Sequence, residues 1–147
     1  MRSLIPGVLV SLAMIQAPPA NEACSALTPA QVSSLIGAAR AIPVTASPTG
    51  STCMYQNNDR VITVLMATVS TADAAQGLFN AKKRIVSGAD VPGWSAPAYA
   101  GFMRPAAVVG VLVKLTLTEV KVIDPAQTPE AVGVTLQAVM KDVAARK

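Results

Sequence analysis

RVITVLMATV (residues 60–69) runs directly into STADAAQGLFNAKKRIVSG (residues 70–88), and the change of period between the two decides the fold class. The first stretch is rich in β-branched residues. Its apolar side chains alternate to both sides, Val61 and Leu65 against Ile62, Val64 and Met66, which predicts a central strand covered on both faces. The second stretch has helical spacing. Ser70 or Thr71 can cap it, Asp73 complements its N-terminus and Gly88 ends it. Ala75, Leu78, Phe79, Lys82, Ile85 and Val86 form its stripe, with the Lys82 stem laid over apolar surface and its ammonium in water. A strand feeding a helix points to sheet and helix packed in layers.

Upstream, STCMYQ (residues 51–56) reads as a partner strand and NNDR (residues 57–60) as the turn between the two. Residues 38–50 carry two prolines and a glycine and read as a loop. Before them, CSALTPAQVSSLIG (residues 24–37) opens a short helix. Thr28 caps it, Pro29 takes the first position and Gln31 completes a T-x-x-Q capping box. Leu27 and Val32 stand at staple positions, and Gly37 stops the helix.

Downstream, VPGWSAPAYA (residues 91–100) places Pro92-Gly93 at the centre of a type II turn and the sole tryptophan beside it. YAGFM (99–103), AAVVGVLV (106–113) and KLTLTEVKV (114–122) read as three more strands, with no clear turn signal between Val111 and Leu115. The apolar phase slips after Glu119, which predicts a bulge there. Thr128, Pro129 and Glu130 start a last helix whose stripe is Val132, Leu136, Val139, Met140 and Val143. The order is helix, two strands, helix, three strands, helix. This predicts one α+β domain over residues 21–147: a largely antiparallel sheet of about five strands with three helices, in a layered sandwich.

The first twenty residues have the form of a secretory signal: Arg2, an apolar run from Leu4 to Ile15, then small residues. An apolar run of that length is too short for a membrane span, so no transmembrane span is expected in the mature chain. Cleavage is expected near Ala20 or Ala23, and the product in the periplasm or secreted. Export makes a disulfide between the two cysteines, Cys24 and Cys53, the expected state. Such a link would stabilise by about 3–4 kcal/mol and anchor the first helix. Lipidation of Cys24 is the rival reading.

Composition narrows the chemistry. The chain has 147 residues, 52% of them hydrophobic, enough for one core, and no histidine. That excludes histidine triads and histidine metal sites, and two cysteines alone do not make a thiolate metal site. No metal and no cofactor is expected. G-x-S-x-G, S-x-x-K and phosphate-cradling glycine motifs do not occur. All but Arg2 of the twelve Lys and Arg lie beyond residue 20, against eight Asp and Glu, a mildly basic balance. The one basic run, Lys82, Lys83 and Arg84, lacks interleaved aromatics, so nucleic acid is not an expected partner and a surface-charge patch is.

Three functions compete. The favoured one is a non-catalytic envelope protein that binds a ligand or an envelope protein. Trp94, Tyr99, Phe102 and Met103 would then supply apolar contacts and Arg104 a polar one. The bland reading of Trp94 and Tyr99 is core packing. A hydrolytic enzyme would have to use carboxylates, from Asp73, Asp90, Glu119, Asp124 and Glu130. A purely structural envelope component is the third.

The C24-S-A-L-T-P-A-Q-V segment with Leu35-Ile36-Gly37, C53-M-Y, the V91-P-G turn with Ala98-Tyr99 and the final amphipathic helix together resemble a group of small exported bacterial proteins, many of them lipoproteins. The resemblance covers nearly the whole mature chain. It implies a compact α+β sandwich outside the cytoplasm and no particular activity. The sequence departs from the group in lacking a lipobox before Cys24.

Overall fold

The computed structural model describes residues 21–146; the expected signal segment, residues 1–20, lies outside them. An N-terminal 3-10 turn, Glu22–Ser25, leads into α1 (Pro29–Ile36). Strands β1 (Ala41–Ser47), β2 (Gly50–Asn57) and β3 (Arg60–Thr68) follow, then α2 (Ala72–Ile85). The chain continues through β4 (Ala89–Asp90), β5 (Ala98–Met103), β6 (Ala106–Val113) and β7 (Thr116–Ile123), and closes with α3 (Pro129–Ala144). The strands form one antiparallel sheet in the order β1-β2-β3-β7-β6-β5-β4. Among the described residues the α+β class and the three α-helices match the sequence reading, and the sheet has seven strands instead of about five.

The helix starts follow from local chemistry. Thr28 and Gln31 form the reciprocal capping box, with both hydrogen bonds present. Thr71 and Thr128 accept from the third backbone N–H of their helices in the same way. Gly37 ends α1 at φ +82°, a left-handed conformation that side chains disfavour. Asn57 Nδ2 donates to the Ile36 carbonyl at 2.8 Å, so the β2–β3 turn caps the helix from outside.

Alternate side chains of β6 feed two cores. Ala107, Val109 and Val111 pack with Val32, Leu35 and Ile36 of α1 and with Leu136, Val139 and Met140 of α3. Ala106, Val108 and Leu112 pack on the other face with Ala75 and Phe79 of α2. The strands covered on both faces are therefore β6 and β7, the latter with Leu117 in one core and Val120 and Val122 in the other. β3 lies centrally, but only Ile62 and Val64 are buried, while Val61 and Leu65 are half-buried because α2 packs on β5, β6 and β7. Ile85 departs from the expected α2 stripe. It is 63% exposed, since the helix axis ends there and Val86 turns inward instead.

Two further expectations are corrected. Residues 41–47, read as loop, form the edge strand β1, exposed along its whole length. Burial did not select it; backbone pairing with β2 did, and its proline sits beside the register shift between Pro43 and Thr45. The bulge near Glu119 is absent: β7 keeps register with both neighbours through that residue. The apolar phase slips there because Glu119 itself occupies a core position, 2% exposed.

The disulfide is present. Cys24 and Cys53 are bonded, with their Cα atoms 5.1 Å apart. Around it, Tyr55 donates to the Cys24 carbonyl at 3.0 Å and the Ala23 N–H donates to Ser51 Oγ at 2.9 Å. Asn21 Nδ2 donates to the carbonyls of Thr45 and Thr52, joining β1 to β2 at the register shift. No described helix is long and apolar enough to cross a membrane.

Candidate functional site

The five residues expected at a ligand site are not brought together. Tyr99 points into the α2 core, fully buried, with its ring 5.1 Å from that of Phe79 in an edge-to-face contact. Trp94 packs half-buried against the opposite core. Phe102, Met103 and Arg104 are exposed at the far end of β5, where Arg104 lies over the Phe102 ring at 5.2 Å and pairs with Glu130 at 2.6 Å. That pairing holds the Glu130 carboxyl below the usual glutamate range. Phe102 borders a cavity of about 290 Å³ with Val91, Pro92, Val109, Gly133 and Gln137. In the expected basic patch, Lys83 is tied to Asp90 at 2.7 Å, Lys82 is half-buried and Arg84 is exposed.

The carboxylates are dispersed in the same way. Asp124 is buried and accepts from Ala126 N–H and Gln127 Nε2, forming the turn before α3. Glu119 accepts from the Tyr99 hydroxyl and has Lys121 Nζ 3.8 Å away. Burial and this hydrogen bond raise the Tyr99 pKa far above its ordinary value. Asp90 and Glu130 are held in the separate ion pairs given above. Asp73 stands at the start of α2, among the residues that complement its N-terminus.

What the fold does assemble is a groove where α3 ends beside the β6–β7 turn. One part, about 300 Å³, is lined by Ala26, Met66, Val113, Thr116, Thr118 and Val143. The adjoining part, about 420 Å³, is walled by Ser95, Ala96, Pro97, Leu112 and Ala145. Val113, Lys114 and Arg146 line both. The wall is the segment that follows Trp94, tied to the helix end by Ser95 Oγ, which donates to the Ala144 carbonyl at 3.0 Å. Lys114 turns the chain at φ +56°. Arg146 spends one N–H on the Ala26 carbonyl at 2.7 Å and another on Gln31 Oε1 at 2.8 Å, and among the described residues its further guanidinium donors have no partner.

Sequence reasoning missed this groove. Lys114 and Arg146 are 32 positions apart and neither belongs to a motif. The available signal was the missing turn motif before Leu115: a lysine holds a left-handed position that glycine or asparagine fills at lower cost. No known protein family matches the chain, and no curated protein matches it.

Proposed function

We propose that this is an exported, non-catalytic envelope protein that binds a small ligand in the groove between the end of α3 and the β6–β7 turn. The observation that carries the reading is the groove's make-up: two adjoining concave parts with apolar floors and a few polar groups at their shared margin, the composition of small-molecule sites. The disulfide supports export, because such links persist in oxidising compartments.

The contacts of residues 21–23 support cleavage after Ala20 over cleavage after Ala23. Asn21 joins β1 to β2, and Ala23 is fully buried with its N–H on Ser51, so losing residues 21–23 would strip these contacts. Lipidation of Cys24 is disfavoured, since the sulfur it would use is engaged with Cys53. The resemblance to small exported bacterial proteins fits the same picture and implies no activity.

Titration of the purified protein with the neutral apolar fluorophore N-phenyl-1-naphthylamine tests the reading. Saturable enhancement with energy transfer from Trp94 is expected, and Ala145→Trp, which fills the groove, should abolish it. Absence of binding, or binding indifferent to Ala145→Trp, overturns the assignment. Intact mass of the secreted protein should place its first residue at Asn21.

A further inference from the structure

We infer that the groove's ligand is a single-chain amphiphile with an anionic, carboxylate head. This rests on the binding reading above and specifies its chemistry. The groove is apolar along Met66, Val113, Leu112, Pro97 and Val143, and its two charged lining residues are both cations, Lys114 and Arg146. Among the described residues no carboxylate lines either part, and Lys114 and Arg146 take part in no ion pair.

The obvious objection is the negative end of α3, which would repel an anion. Three of its last four carbonyls already accept hydrogen bonds. The Lys141 carbonyl accepts from Ala145 N–H, that of Val143 from Arg146 N–H and that of Ala144 from Ser95 Oγ. Beside Val143, Ala144 and Ala145, the charged group that this helix end brings to the groove is the Arg146 side chain. A guanidinium with unused N–H donors beside an ammonium suits a carboxylate, and an acyl chain would replace water along the apolar floor. The parts measure about 300 and 420 Å³, at the lower end of small-molecule sites, which fits one hydrocarbon chain better than a two-chain lipid.

Decanoate, decanol and decyltrimethylammonium, each displacing N-phenyl-1-naphthylamine from the purified protein, separate the possibilities. Decanoate should bind about tenfold tighter than decanol, equivalent to about 1.4 kcal/mol, and the cationic probe weakest. Lys114→Asn, which tolerates the left-handed turn, combined with Arg146→Gln should bring decanoate and decanol to parity, with the loss falling on decanoate. Should Arg146→Gln unfold the protein, Lys114→Asn alone, with at least a threefold loss for decanoate only, carries the test.

Equal binding of decanoate and decanol by the native protein overturns the anionic head and leaves the binding reading standing. Failure of every probe, the naphthylamine included, overturns both. Retention on anionic phospholipid vesicles without decanoate binding overturns the single-chain ligand in favour of a membrane surface.

Discussion

The Tyr99 hydroxyl reaches across Gly110 to donate to the buried Glu119 carboxylate. The three residues sit side by side on adjacent strands, Tyr99 opposite Gly110 and Gly110 opposite Glu119. A Cβ on Gly110 would stand 2.2 Å from Tyr99 Cζ, so the middle strand must be bare for the ring to lie over it. Phe79 then closes the ring from α2.

Removing either side of this arrangement should be costly in different ways. Tyr99→Phe leaves a buried carboxylate without its donor and should cost about 1–3 kcal/mol. Gly110→Ala forces the ring out of place and should cost about as much, through overpacking. Urea denaturation of both variants checks the sizes, and a Gly110→Ala protein as stable as the parent would contradict the ring placement.

Alkaline stability should depend on the same tyrosine. Its folded pKa is raised above the unfolded value near 10, so its contribution is intact below pH 10 and is lost as the pH climbs beyond. Burial raises Tyr55 in the same direction. Unfolding free energy should fall by up to about 1.4 kcal/mol per pH unit above pH 10 through Tyr99, and Tyr99→Phe should flatten the fall. Denaturant titrations between pH 8 and 11 read this directly.

Cutting the disulfide should loosen the N-terminal segment before the sheet. Cys24 and Cys53 lie 29 positions apart, and their loss should cost about 3–4 kcal/mol. Amide exchange in a Cys24→Ser, Cys53→Ser protein should accelerate first in Ala23–Ile36. Uniform acceleration over β6 and β7 would show that the link supports the whole sheet instead.

Glu130 should titrate below an ordinary glutamate because Arg104 donates to it. Arg104→Gln should raise its pKa, as followed by carboxyl NMR shifts. An unchanged value would mean that the pair does not persist in solution.

The helices were legible because each carries its own punctuation: a threonine cap on all three, a proline at the first position of α1 and α3, and apolar stripes, of which α3 buries its own in full. The strand pairing was less so. Nothing in AIPVTAS announces a strand, since β1 buries no side chain and is held by backbone bonds and by Asn21 from a distant turn. Glu119 misled for a related reason: a charged residue in a strand reads as surface until its partner, twenty positions away, is known. The aromatic residues singled out at the site were split between two cores and a rim. The groove is made by distant helix and turn ends that share no pattern.

The edge strand has a consequence for behaviour at high concentration. β1 offers an outer margin with Ile42 and Val44 uncovered, the kind of rim along which chains stack into fibres. Pro43 and the break in pairing beside it interrupt that margin in mid-strand, so a second molecule finds no continuous row of donors and acceptors to zip onto. A residue that looked like a loop marker thus acts as a guard against polymerisation.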